Sequence, residues 1–420
     1  MDRHWPGTRT CSSPRCEELV SFSLAHPRHG GCRSREQLSK KSAMSTLNRW
    51  AWAQVDLGAI RRNVATLVEM ARPAELWATV KANGYGHGAV AIAKTALDAG
   101  AKGLCVALAD EAHELRLAKI DAPILIVSEQ PEVAFEQMLS DRVVATLYNE
   151  STINSYAAVA RKLGVVGNVH LKVDTGMHRV GAPLSSAMAI VKQINSLSNL
   201  KLEGVYTHFA AADLPDHDET AKQQQRFDEF VAALERENLR PRFVHTSNSA
   251  ALLRGLQAKT DVVRVGVAIY GIAPSNQTES LVGKLQPAMS LHARVSHVQR
   301  LEAGEGVSYG LRKKLTRDAN VATLPLGYAD GVPRRLWNVG GEVLLAGKRC
   351  QIIGVVTMDQ MMVDCGDMAI RLGDEAVLLG AQGNEIITAN QIATRLETIG
   401  YEIVCGISAR IKRVYIDNKN

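Results

Sequence analysis

Seven polar side chains stand where the sequence is otherwise apolar: Lys81, Lys172, Asp174, His208, Asn248, Ser249 and Arg264. Each falls at or near the end of a short hydrophobic run. A strand buried on both faces tolerates a lone cation or imidazole only where it is paired or ligated, since burying it alone costs several kcal/mol. Any one of them could be a satisfied structural group, and for His208 taken alone the two readings weigh equally. Their recurrence at the same end of successive runs favours one shared site.

A lysine at a strand end can form a Schiff base with a carbonyl cofactor when burial and nearby cations hold its amine near neutrality. Lys81 opens the stretch "KANGYGHG". A nucleotide-binding P-loop places its lysine after the glycines and follows it with Ser or Thr. The reversed order argues against ATP. A phosphate is still expected, because "SNSAALL" and "GVAIYG" offer a hydroxyl and exposed backbone N–H groups at strand-to-helix turns, a common anion site. A Schiff-base lysine together with a monophosphate site suggests pyridoxal 5'-phosphate.

The elements that must carry these groups alternate regularly. Eight apolar runs are expected as strands: Leu76 to Ala82, Gly103 to Ala109, Ala122 to Ser128, Val143 to Asn149, Asn168 to Thr175, Leu202 to Ala210, Arg242 to Asn248 and Val262 to Gly271. Between them lie segments such as "ESTINSYAAVARKLG" and "DETAKQQQRFDEFVAALEREN", with apolar residues at three- and four-residue spacing. Buried strands separated by helices imply a parallel sheet covered on both sides. Eight units imply an α/β fold closed as a (β/α)8 TIM-like barrel, with a doubly wound sheet as the rival. In a barrel, function belongs to the carboxyl ends of the strands.

After about residue 285 short β-rich runs broken by glycines take over, which indicates a mainly β C-terminal domain. The expected organisation is an extension over 1–43, an N-terminal strand over 44–55 that joins the β domain, the barrel over 56–285 and the β domain over 286–420. The extension carries eight Lys/Arg against four Asp/Glu, so most of the net charge of +6 belongs to it. The remainder is close to neutral, which argues against nucleic acid as a partner. No run has the length of a membrane helix or the unbroken apolar core of a secretory signal, so a cytoplasmic protein is expected. The seven cysteines form no disulfide or metal-binding pattern, and no metal is expected. Cys105, Cys350, Cys365 and Cys405 read as small buried hydrophobes.

From Met44 to the end, nine ordered motifs resemble the alanine racemase family of pyridoxal phosphate enzymes: "VKANGYGHG", "LKVDTGMHRVG", "GVYTHFAAAD", "HTSNSAA", "VVRVGVAIYG", "GVSYG", "LPLGYADG", "VVTMDQ" and "CGISARIKRVY". The resemblance implies a homodimer that interconverts L- and D-alanine by two-base proton transfer at Cα and supplies D-alanine for peptidoglycan. Lys81 would carry the cofactor and serve one face of Cα, and Tyr309 of the partner subunit would serve the other. Arg264 would face the pyridine nitrogen. Tyr85, His208, Asn248, Ser249, Gly266 and Val267 complete the implied cofactor site, with Arg179 and Met358 at the substrate carboxylate. Asp213, Tyr328, Arg334 and Asp359 would line the entrance, and Lys172 matches a position carbamylated in many relatives. One departure stands out, since Ala409 occupies a position where many relatives carry a phosphate-binding tyrosine. A broader amino-acid racemase, a decarboxylase and a non-catalytic pyridoxal phosphate carrier are the alternatives.

Overall fold

The computed structural model describes residues 48–256 and 260–417. The extension over 1–43 lies outside the described residues. The eight expected strands form a closed parallel barrel from Glu75–Thr79, Gly103–Val106, Ile124–Ile126, Ala145–Leu147, Gly167–Asp174, Leu200–Tyr206, Phe243–His245 and Val262–Val265. A bridge from Leu125 to Val144 joins the two halves. The ring closes where Val262 lies opposite Glu75 and where Asp261 and Arg264 donate backbone N–H groups to Val244 and Ser247.

Seven of the eight strands end two or more residues before the apolar runs do. Past those points the chain leaves the ladder while apolar residues such as Val80 and Phe209 stay buried. Helices Leu57–Ala71, Glu150–Leu163, Leu184–Ser196 and Glu219–Arg236 follow the amphipathic segments. The first buries Ile60, Val64, Leu67 and Ala71 at three- and four-residue spacing and is capped by Asp56, which accepts from the Ala59 N–H at 3.1 Å.

The C-terminal part is built on a ten-stranded sheet. Strand Ala51–Asp56 lies inside that sheet, antiparallel to Met289–Arg294 and parallel to Lys412–Ile416. Two short helices, Ala389–Leu396 and Gly400–Cys405, interrupt the β-rich region. The first begins with a capping box in which Thr388 and Gln391 satisfy each other's backbone N–H groups. No helix among the described residues is long and apolar enough to cross a membrane.

Candidate active site

At the carboxyl ends of the barrel strands, a cavity of about 530 Å³ brings together Lys81, Tyr85, Lys172, Arg179, His208, Asp213, Asn248, Ser249, Arg264, Gly266 and Val267. Sites that hold small ligands commonly enclose about 300 to 1,000 Å³. Four cationic side chains line the cavity against the single carboxylate of Asp213. Such a space favours an anionic occupant.

The glycine run that follows Lys81 is not a cradle for a phosphate. From Ala82 to Gly86 every residue has positive φ, forming one left-handed turn after the strand. Three of these are non-glycine residues, each costing about 1 to 2 kcal/mol in that conformation. Several contacts hold the turn: Glu111 accepts from the Ala82 N–H at 2.6 Å, Asn83 Oδ1 accepts from the Ala89 N–H at 2.9 Å, and Arg413 Nε donates to the Gly86 carbonyl at 2.9 Å. A Cβ on Gly86 would lie 2.3 Å from the Val404 carbonyl oxygen. Gly86 therefore admits the close approach of the C-terminal segment, which clamps the turn that carries Lys81.

Tyr85 lies under the cavity, its ring 5.0 Å from that of Tyr270. A Cβ on Gly266 would sit 2.4 Å from the Tyr85 hydroxyl, so only glycine leaves that space open. Ser249 Oγ accepts from the Gly266 N–H at 2.9 Å and lies 3.5 Å from the Ala268 nitrogen. Asn248 caps the short helix beneath it by accepting from the Ala251 N–H. Backbone donors, two hydroxyls and an open notch thus converge on one corner of the cavity, a donor set suited to a phosphate.

Arg264 is 5% exposed and has no carboxylate partner among the described residues. Its Nη1 donates to His245 Nδ1 at 2.8 Å, while Nη2 donates to the Thr207 carbonyl at 2.7 Å and to His208 Nδ1 at 3.3 Å. Because a guanidinium only donates, His245 must carry its proton on Nε2. That nitrogen donates to His170 Nδ1 at 3.0 Å, which places the proton of His170 on Nε2, a buried atom without a partner. Burial first, and then the charge of Arg264, pushes the His170 pKa down to about 3 and that of His245 well below its ordinary value. Both imidazoles stay neutral, and Arg264 retains the charge. Tyr206 forms the floor, stacked on His245 at 4.7 Å with the Arg264 guanidinium 4.9 Å from its ring centroid.

Lys172 is 4% exposed, and its ammonium lies 5.7 Å from the Tyr206 ring. Burial, then the charges of Arg179, Arg264 and Lys81, lower its pKa to about 7. His208 is pushed well below its ordinary range by the same burial and the same cations, Arg264 foremost.

Tyr309, Tyr328, Arg334, Met358 and Asp359 do not line the cavity. They lie in the C-terminal part, where Tyr309 is 73% exposed, Met358 52% and Tyr328 42%. Their loops are bound to one another: the Tyr328 N–H donates to the Thr357 carbonyl, and Ser308 Oγ donates to the Val355 carbonyl. Asp359 pairs with Arg410 at 2.7 Å. Cys105, Cys350 and Cys365 are buried, but Cys405 is exposed and lines the cavity. That corrects the expectation of a buried hydrophobe. It ends the helix Gly400–Cys405, which the sequence reading had not placed.

Comparison with known proteins gives a consistent picture. Residues 55–274 match the family model "Alanine racemase, N-terminal domain", and residues 288–415 match "Alanine racemase, C-terminal domain". The chain is 43% identical over 368 residues to the alanine racemase of Symbiobacterium thermophilum, covering 87% of this chain and 97% of the relative. The crystal structure of the alanine racemase from Streptomyces lavendulae superimposes with a TM-score of 0.84 at 36% identity, over 89% of this chain and 98% of that one. A histidine racemase from Leuconostoc mesenteroides is similar at 26% identity and a TM-score of 0.81, over 88% of this chain and 99% of that one.

Proposed function

The chain belongs to the alanine racemase family, and we propose that it interconverts L- and D-alanine, with pyridoxal 5'-phosphate as cofactor, by two-base proton transfer at Cα. The observation that carries this reading is the strand-end Lys81 in a cavity whose cations outnumber its carboxylates and whose buried arginine donates to imidazole and carbonyl acceptors, with no acidic partner among the described residues.

The residues present fit the cofactor. Lys81 Nζ would hold it covalently, and Tyr85, Ser249 and the backbone N–H groups of Gly266 and Val267 would hold its phosphate in the notch that a Cβ on Gly266 would fill. When bound, pyridoxal phosphate supplies a conjugated ring that stabilises negative charge at the substrate Cα. Arg264 would present a permanent positive charge but no transferable proton to the ring nitrogen. His208 and Asn248 would flank it, fixing the side chains around the ring. This favours return of a proton to Cα over its delivery elsewhere.

Racemisation needs a proton-transfer group on each face of Cα, because one group alone tends to return the proton to the face it left. Lys81 Nζ would serve one face. Tyr309 of the partner subunit would serve the other, which fits the 73% exposure of Tyr309 on a single chain and implies a homodimer. Arg179 and the Met358 N–H would take the substrate carboxylate, with Asp213, Tyr328, Arg334 and Asp359 around the entrance. Lys172, whose pKa near 7 leaves much of it as free amine at neutral pH, would add to carbon dioxide and release a proton. The resulting carbamate places an anion among Arg179, Arg264 and Lys81. A cytoplasmic dimer with a barrel over 56–285 and a β domain over 286–420 that takes in strand 44–55 completes the reading, with D-alanine for peptidoglycan as its physiological product.

A second reading, a racemase of wider substrate range, is favoured by the likeness to a histidine racemase. The test is to incubate the cofactor-loaded protein with L-alanine, L-serine and L-lysine and to follow both D-enantiomers and carbon dioxide. Formation of D-alanine alone supports the first reading, and comparable D-enantiomer from all three supports the second. Release of carbon dioxide, or no turnover, contradicts both.

A further inference from the structure

Two thiols lie outside the candidate site, at the base of the hairpin that carries Met358. Cys350 is on strand Lys348–Ile353 and Cys365 directly follows strand Met361–Asp364. These strands are antiparallel neighbours with Gln351 opposite Asp364 and Ile352 opposite Val363, so the next step along the ladder sets Cys350 against Cys365. Directly opposed antiparallel residues have Cα atoms about 4.5 to 5.5 Å apart. A disulfide spans about 4.4 to 6.8 Å. Opposed side chains share a face, here the core face, where each cysteine is 3% exposed. The Cys350 thiol donates to the Lys348 carbonyl at 3.8 Å and the Cys365 thiol to the Val363 carbonyl at 3.6 Å, so neither is tied to a side chain elsewhere in the core.

The pair is chemically asymmetric. The neighbouring Cys365 lowers the pKa of Cys350, whereas that of Cys365 is pushed well up by the same proximity and by burial. Cys350 is therefore suited to attack, and Cys365 to resolve. The hairpin tip between them is a junction of the C-terminal part: Val355 accepts from Ser308 Oγ at 2.7 Å, and Thr357 accepts from the Tyr328 N–H at 2.9 Å.

We propose that Cys350 and Cys365 form a dithiol modification site which a hydroperoxide converts to an intrachain disulfide, stapling the base of this hairpin. The Cys350 thiolate attacks a peroxide oxygen and the O–O bond breaks. One oxygen stays on sulfur as a sulfenic acid, and the other leaves and takes up a proton. Cys365 sulfur then attacks Cys350 sulfur, the S–O bond breaks, and the oxygen leaves as water with the proton of Cys365. Two thiols are oxidised and one hydroperoxide is reduced. Nothing in this step depends on the reading of the barrel cavity.

The test uses the reduced, full-length protein treated with hydrogen peroxide, then alkylated under denaturing conditions. Trypsin leaves both cysteines on one peptide beginning at Cys350, which should be lighter than its unalkylated reduced form by two hydrogens. Cleavage before Asp359 and Asp364 should yield peptides joined until a dithiol is added. The link should raise the thermal-unfolding midpoint by several degrees, and this rise should vanish in Cys350→Ser and in Cys365→Ser but survive in Cys405→Ser. Full alkylation of both cysteines after peroxide treatment overturns the proposal. So does sulfinic acid on Cys350 without a link, or a link to any other cysteine. An unchanged midpoint in the linked protein overturns the staple.

Discussion

Replacing Lys172 with Met tests the electrostatics of the cavity without relying on catalysis. The side chain is buried, and burial together with Arg179, Arg264 and Lys81 brings its pKa from 10.5 to about 7. That fall corresponds to a loss of preference for the charged form on the order of 4 to 5 kcal/mol. Between pH 7 and pH 10.5 the folded protein binds fewer protons at this site than the unfolded chain, so stability rises with pH through that window. Below pH 7 the penalty is present in full, and above 10.5 it is gone. Cofactor-free protein in carbon-dioxide-free buffer, unfolded with urea at pH 6, 8 and 10, should show Lys172→Met more stable than the parent at pH 6, by up to about 4 kcal/mol. The gap should narrow at pH 8 and nearly close at pH 10. Added bicarbonate at pH 8 should stabilise the parent and leave the variant unchanged. A gap that does not depend on pH, or a variant less stable at pH 6, would refute this account of the cluster.

Three further expectations follow from the geometry. Gly266→Ala sets a Cβ against the Tyr85 hydroxyl and should weaken cofactor binding by about tenfold or more, the scale of a 1 to 3 kcal/mol overpacking penalty, as read by titrating the cofactor-free protein with pyridoxal phosphate. His245→Phe keeps a ring against Tyr206 but removes the acceptor for Arg264 Nη1. It should cost about 1.5 to 3 kcal/mol, seen as a fall in kcat of roughly 10- to 100-fold with fold retained by circular dichroism. Lys81→Ala and Tyr309→Phe chains should each be nearly inactive alone, yet regain part of the activity when co-assembled. Absence of any recovery would show that the two groups do not come from different subunits.

Much of this architecture was legible because parallel strands buried on both faces leave long apolar runs, and polar residues at their ends stand out. The same property blurred the strand ends, since buried apolar residues such as Val80 and Phe209 continue after the ladder stops. The glycines after Lys81 were visible, but their purpose was not. Positive φ across five successive residues and the approach of Val404 are long-range facts that no local pattern encodes. His170, His245 and Tyr206 went unassigned because each looks like an ordinary core residue. Only the register that stacks three strands shows them forming a directed chain behind Arg264. The helix Ala389–Leu396 carries a local signal, the Thr388-x-x-Gln391 capping box, whereas the helix Gly400–Cys405 that exposes Cys405 has no side-chain cap to announce it. Tyr309 is the opposite case: resemblance pointed to it, while geometry within one chain leaves it far from being buried.

The central claim is that Cα of alanine is deprotonated on one face and reprotonated on the other. Incubating the cofactor-loaded protein with L-alanine in deuterium oxide, and resolving the enantiomers by chiral chromatography with mass detection, tests it directly. The account predicts D-alanine carrying deuterium at Cα, with formation abolished in Tyr309→Phe. Failure to form D-alanine, or D-alanine formed at an undiminished rate by Tyr309→Phe, would contradict it.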